Sequence, residues 1–370
     1  MKAFIKLLPA LLFISILIIG CTPKQQETPV AKTFTEKMDS LFATVPDFSG
    51  VAIVAEKGKP IYHKAFGYLS FETKARMDTT SLFELASVSK QFTAMVIMML
   101  KEEGKLNYDD LLEKYLPGLP YKNITIRHLL THTSGLPDYQ KIMDEHWDKS
   151  KVAGNADILE YLKKYHPEKQ FESGEKYEYS NTGYVLLGSI AEKASGKDFV
   201  EFCRERIFAP VSMSSTDIRS FQEKAEIENF ALGHIYVQEK QRYVRADSFP
   251  ASNYTIWLGN RKGPGRISST AFDLLKWDRA LYTENLIKKV NLAEAFSPQK
   301  LNNDSLSSYG FGWEIENSKL GKVVRHSGDN PGYKTHIIRY IDADKTVILL
   351  CNNAHEQYGD ILKGIEKLVE

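Results

Sequence analysis

Leu82-Phe-Glu-Leu-Ala-Ser87-Val-Ser-Lys90-Gln-Phe-Thr-Ala-Met-Val-Ile-Met-Met-Leu100 is the stretch from which the rest of this chain can be read. From Phe92 to Leu100 every residue except Thr93 is apolar, the pattern of a helix enclosed by protein rather than one with a wet face. Ser87 is a good N-cap residue and marks the expected start, and Gly104 stands just past the expected end. A serine and a lysine three residues apart share one face of one turn. The N-terminus of a helix offers unpaired N–H groups and a positive dipole end, both of which stabilise negative charge developing at Ser87. The same field and the apolar surroundings disfavour a second positive charge, so the pKa of Lys90 is expected below its ordinary value. A lysine that gives up or shares its proton beside a serine hydroxyl makes a Ser-Lys activated nucleophile.

Outward from that helix, the bulk of the chain narrows the function classes. The 370 residues hold 48 Lys and Arg against 47 Asp and Glu, without a basic run, so nucleic acid is not an expected partner. An apolar content of 43% supports a sizeable core. No internal repeat and no Pro/Ser-rich linker divide the region beyond the N-terminus. That N-terminus reads as a targeting segment. Lys2 and Lys6 precede an apolar run from Leu7 to Ile19, and Gly20 directly precedes Cys21. The order is that of a lipoprotein signal over residues 1–20, with lipidation at Cys21, a polar tether over 21–33 and one domain over 34–370. An uncleaved anchor or an ordinary signal peptide is the rival reading. The expected location is the bacterial cell envelope, membrane-bound through lipid. Cys203 and Cys351 are expected as two buried thiols.

The element pattern is mixed. Residues Phe34 to Ala43 read as a helix, followed by strands at Val51–Glu56 and Ile61–Tyr68 joined through Lys57-Gly58-Lys59. Thr125 caps a short helix that ends before Ser134-Gly135, and Asn181 caps an amphipathic helix over Thr182–Ala194 stopped at Gly196. Thr270 caps Ala271–Leu281. Strands are expected at Tyr309–Glu316, Lys322–His326, Tyr333–Ile341 and Thr346–Cys351, with a closing helix over Glu356–Leu368. Strands at both ends with helices between imply an α+β fold. One antiparallel sheet is flanked by the N- and C-terminal helices, with a mostly helical lobe inserted. The groove between sheet and lobe is the expected site.

Three short patterns gain meaning from context alone. S-x-x-K occurs at Ser87–Lys90, Ser173–Lys176 and Ser297–Lys300, but only Ser87 opens a buried helix. Y-x-N occurs at Tyr121–Asn123 and Tyr179–Asn181, and only the second begins a helix. The candidates for [KH]-x-G are Lys319-Leu-Gly321, in a hairpin turn, and His326-Ser-Gly328, at a strand end where Gly328 and Gly332 allow close approach to the backbone.

In that order, Ser87-Val-Ser-Lys90, Tyr179-Ser-Asn181 and His326-Ser-Gly328 resemble the three motifs of the serine β-lactamase and penicillin-binding-protein superfamily. The tyrosine form of the second motif resembles the class C β-lactamase-like, D-Ala-D-Ala carboxypeptidase and esterase branch. Residues 128–137, 183–188, 269–274 and 309–313 resemble it as well. The resemblance implies a β-lactamase/transpeptidase-like fold in which Ser87 forms an acyl-enzyme and Lys90 and Tyr179 share its proton. For tyrosine that role requires a pKa lowered from about 10 by nearby positive charge. It further implies an oxyanion hole from the backbone N–H groups of Ser87 and Asp329, with Asn181, His326, Ser327 and Gly328 at the substrate. No metal or cofactor is implied.

The chain departs from the β-lactamase pattern at His326, where those enzymes generally have lysine. At an ordinary pKa near 6.5 it would be about half charged at neutral pH, and the nearby Asp329 would oppose a substrate carboxylate. Peptidases and esterases of the family commonly carry histidine there. His128 and His132 have the i, i+4 spacing of a zinc pair but lack the glutamate of H-E-x-x-H. Trp257, Trp313, Tyr254 and Tyr309 are read as core before groove. The expected function is therefore a serine hydrolase acting on esters or D-amino-acid peptides. A class C-type β-lactamase and a silent muropeptide-binding lipoprotein are the alternatives.

Overall fold

The computed structural model describes Met1 and residues 32–370, so the expected signal segment, Cys21 and nearly all of the tether lie outside the described residues. The first long elements are a helix, α1 (Phe34–Ala43), and a hairpin, β1 (Gly50–Glu56) and β2 (Lys59–Phe66). Lys57 and Gly58 both have positive φ (49° and 73°), the turn geometry whose twist suits a two-residue hairpin. The last third of the chain supplies β3 (Glu314–Ser318), β4 (Gly321–Asn330), β5 (Tyr333–Tyr340) and β6 (Lys345–Cys351). The six strands form one antiparallel sheet in the order β3-β4-β5-β6-β1-β2, which places the first strand beside the last.

Alternation along these strands builds two cores. Ala52, Val54, Ile338, Val347 and Leu349 face α1 and the closing helix (Tyr358–Val369), packing on Met38, Phe42, Ile361 and Ile365. Their neighbours Val51, Ile53, Ile337, Ile348 and Leu350 face the other way, into a larger core shared with the helical lobe. Both faces are buried, so the strands read as nearly continuous apolar runs. At the centre of the lobe lies α2 (Lys90–Glu102), with every residue from Lys90 to Leu100 buried. Cys203 belongs to the lobe core and Cys351 to the α1 core, both as free buried thiols.

One expected strand begins late. Tyr309–Trp313 is a bend, and β3 starts only at Glu314. Gly312 has φ +77°, and a Cβ there would stand 2.9 Å from Gln91 Cα, so the chain turns to pass against the start of α2. This contact carries Tyr309 and Phe311 under the site.

A buried ion pair ties the sheet to the lobe. Arg339 on β5 donates to Asp278 at 2.6 Å, with side chains 1% and 0% exposed. Asp278→Ala is expected to cost about 3–5 kcal/mol of unfolding free energy, because the Arg339 charge stays buried without its partner. Urea titration of both proteins measures this, and a change under about 1 kcal/mol would show that other groups carry that charge.

Candidate active site

Ser87 does not cap α2. It lies in a 3-10 turn, Ala86–Ser89, that leads into the helix, and no side chain caps either element. Ala86 adopts φ +49°, a left-handed conformation that a residue with a Cβ enters only at a cost of about 1–3 kcal/mol. The surroundings hold it there. Val88 N–H donates to Leu85 C=O, Leu85 N–H to Ile267 C=O, and Thr335 Oγ1 to Leu85 C=O. Freed from capping, the Ser87 hydroxyl faces Lys90.

Lys90 is fully buried and has three polar neighbours: Ser87 Oγ at 3.0 Å, Asn181 Oδ1 at 2.8 Å and Pro264 C=O at 3.0 Å. Burial drives its pKa well below the ordinary lysine range, and the positive charge of Arg261 adds to the shift. The expected direction is therefore found, but burial is its leading cause. Two of the three neighbours can only accept. A neutral amine donates its two N–H bonds to Asn181 and Pro264, and its lone pair then faces the Ser87 hydroxyl, which donates to it. That is the geometry of a general base.

Tyr179 closes the other side. Tyr179 as a whole is 39% exposed, but its hydroxyl is enclosed and hydrogen-bonds with Ser87, and the Lys90 amine lies over the ring face, 4.7 Å from the centroid. The expected lowering of the Tyr179 pKa does not occur. Burial raises it, and the hydrogen bond with Ser87 only partly offsets the rise. At rest Tyr179 is therefore a phenol that can give a proton. Ser180, not Asn181, caps the following helix (Asn181–Ser195), its hydroxyl accepting from Gly183 N–H. Asn181 occupies the first helical position, which leaves its amide free to reach Lys90.

His132 was missed as a site residue by sequence reasoning. Its ring lies 4.2 Å from Tyr179 and 4.6 Å from Tyr309, centroid to centroid, and its Nδ1 accepts from Ser180 N–H. It braces the segment that carries Tyr179. Pairing with His128 on one helix face fails, because that helix ends at Leu130 and His132 turns away at φ +58°. The signal available in the sequence was the Thr131–Pro137 turn, one of the runs that carried the resemblance.

The third segment meets Ser87 edge-on. A Cβ at position 328 would stand 2.2 Å from Leu85 C=O, so only glycine lets β4 pass this close to the serine turn. Backbone direction follows from the register. Lys322 C=O accepts from Ile341 N–H, so even-numbered residues of β4 face β5, and odd-numbered ones, Asp329 included, face the opposite edge. β3 pairs along that edge only as far as Arg325. The Asp329 N–H therefore points from an edge without a strand neighbour, on the side of the Ser87 turn. The Asp329 side chain is exposed and paired with Lys334 at 2.8 Å, which reduces the expected opposition to an anionic substrate.

His326 is not the half-charged group expected from its ordinary pKa. It is 1% exposed, and burial, reinforced by Lys90, pushes its pKa down to about 3. Ser327 C=O, 2.6 Å from Nδ1, can only accept, so Nδ1 carries the proton and Nε2 accepts from the Tyr309 hydroxyl at 2.7 Å. Histidine side-chain NMR, with the His326 resonance assigned by its loss in His326→Gln, is expected to show this neutral Nδ1–H form from pH 8 down to about 5, and a His326 resonance titrating near 6.5 would contradict it. Because only the unfolded chain takes up this proton between pH 6.5 and about 3, the group removes stability as pH falls through that window.

Comparison with known proteins agrees with this fold. The beta-lactamase family profile matches residues 38–368. A penicillin-binding protein of Bacillus subtilis (strain 168) is 43% identical over 339 residues, which cover 90% of this chain and 75% of that protein. The D-aminopeptidase of Brucella anthropi is 26% identical, over 82% of this chain and 56% of its own length. The crystal structure of a penicillin-binding protein from Bacillus halodurans superposes with a TM-score of 0.76 at 26% identity, covering 92% of this chain and all of that one. The α+β architecture is thus the β-lactamase/transpeptidase-like fold.

Proposed function

The chain belongs to the beta-lactamase family and is a serine hydrolase of the β-lactamase/penicillin-binding type, and on that premise we propose that it cleaves esters or D-amino-acid peptides through an acyl-enzyme on Ser87. The observation that carries the reading is the buried Lys90 amine held between two pure acceptors, with its remaining side toward the Ser87 hydroxyl. Ser87 Oγ bonds to the substrate carbonyl carbon, and the bond from that carbon to the leaving oxygen or nitrogen breaks. The serine proton passes to Lys90, and Tyr179 gives its own proton to the leaving group and regains one from Lys90. Ser87 N–H and Asp329 N–H receive the negative charge on the carbonyl oxygen. Water then cleaves the ester to Ser87, releasing the acid and restoring the hydroxyl.

Ester or D-peptide preference over lactams rests on the third segment. A neutral, fully engaged His326 gives no fixed charge for the carboxylate of a β-lactam. The similarity to a D-aminopeptidase supports the D-amino-acid alternative. Export through residues 1–20 and lipid anchoring at Cys21 belong to the same proposal and rest on the residue order alone; palmitate incorporation retained by Cys21→Ser would refute the anchor.

The deciding experiment gives one purified preparation four substrates: a p-nitrophenyl ester, a D-Ala-D-Ala peptide, a D-amino-acid amide and nitrocefin. Turnover of the first three above nitrocefin is expected. Faster nitrocefin hydrolysis would make the chain a β-lactamase. No turnover and no fluorophosphonate adduct would favour a silent muropeptide-binding protein.

A further inference from the structure

Glu84, which precedes the Ser87 turn, lines a cavity of about 550 Å³ whose wall includes none of Ser87, Lys90 and Tyr179. Its charged lining is largely paired within itself. Lys224 pairs with Glu84 and Arg245 with Asp247. Two arginines are left over. Arg261 and Arg266 are 9% and 8% exposed, and neither has a carboxylate within ion-pair distance among the described residues. Glu84 lies close enough to act on Arg266 through its charge, but its carboxylate is taken by Lys224. Glu72 and Glu228 stand exposed at the mouth.

Burying a guanidinium is costly unless an anion accompanies it, and its planar fork matches a carboxylate. Arg261 Nε–H is buried without an acceptor. Arg266 holds φ +79°, a conformation that glycine adopts freely and a side-chain-bearing residue does not. Its guanidinium donates to Arg219 C=O, and no carboxylate among the described residues forms an ion pair with it. Both arginines flank Pro264, whose carbonyl accepts from Lys90, so they belong to the segment that lines the base.

The strand sets the direction in which a substrate would lie. His326, near one end of the free edge of β4, packs toward Tyr179, with ring centroids 6.2 Å apart. Asn330 and Pro331, at the other end, line the cavity. With a carbonyl oxygen at Asp329 N–H and the leaving group at Tyr179, the other end of this edge, at Asn330 and Pro331, leads to the cavity that the two arginines line. We propose that Arg261 and Arg266 bind a carboxylate on the acyl side of the substrate, so that the preferred substrates are esters or amides of carboxylate-bearing acyl groups. This deepens the hydrolase reading and rests on it for the chemistry, but not for the anion site itself.

The test compares p-nitrophenyl butyrate with mono-p-nitrophenyl glutarate on the full chain. The kcat/KM ratio of glutarate to butyrate is expected to favour glutarate and to fall at least about tenfold in Arg261→Gln. Arg266→Gly, which relaxes the positive φ, is expected to lower the same ratio without lowering the melting temperature. Equal losses on both esters would give the arginines a structural role and overturn the proposal, as would a wild-type preference for butyrate. Calorimetry with glutaramate separates this proposal from the hydrolase reading. Binding by wild type, at least about tenfold weaker in Arg261→Gln, supports the anion site even if no ester is hydrolysed. No binding by wild type, or equal binding by both proteins, overturns it even if esters are turned over.

Discussion

Ser87→Ala is expected to abolish fluorophosphonate labelling and to reduce ester turnover by about 10⁴–10⁶-fold, the range seen when a nucleophile is removed from a unit that works together. The alanine keeps the backbone N–H at position 87, so the oxyanion site and the cleft persist. Substrate affinity, read by calorimetry, is therefore expected to change little while the rate collapses. The fold has no reason to fail, since the Ser87 side chain caps no helix and, among the described residues, hydrogen-bonds with Lys90 and Tyr179 of the site itself. Turnover within about tenfold of wild type would move the nucleophile elsewhere and defeat the acyl-enzyme assignment.

Lys90→Met is the second large effect, a loss of about 10²–10⁴-fold in kcat/KM from removal of a general base. The pH profile carries the sharper information. In the wild-type protein activity should fall on the acid side as Lys90 takes up its proton, at a pH well below the ordinary lysine value of 10.5. That limb should vanish from the residual activity of Lys90→Met. Stability provides the control. A lysine whose pKa is depressed by folding removes stability below that pKa, and the deficit shrinks as pH rises toward the unfolded value of 10.5. Methionine relieves the deficit but leaves Pro264 C=O and Asn181 Oδ1 without their donor. The two effects oppose, so a modest change in melting temperature is expected beside a large loss of rate. An acid limb that survives unchanged in Lys90→Met would assign it to another group.

Much of this arrangement was legible before any coordinates. The apolar run after Lys90 announced a buried helix because nine consecutive residues with one polar exception leave no wet face. The edge hairpin was legible because Lys57-Gly58 supplies its turn, and the last strands because their apolar runs are separated by turn residues. Caps were harder. Ser87 and Asn181 both have good capping side chains, yet both side chains are used at the site, and the neighbouring backbone starts the helices without them. The bend at Gly312 looked like strand because nothing local in Tyr309–Trp313 reports that α2 will pass beneath it.

The sequence by itself determined which groups are present and in what order: a serine and lysine on one turn, a tyrosine opening a helix, a glycine where strand meets turn. Only the tertiary structure decided their protonation. Lys90 loses its proton preference, Tyr179 keeps its proton and His326 remains uncharged because each is enclosed by segments remote in the chain, and desolvation depends on what folds over a group, not on its neighbours in sequence. The same holds for Arg261 and Arg266. Their identities are plain in the sequence, but only the packed fold shows that, among the described residues, neither has a carboxylate within ion-pair distance.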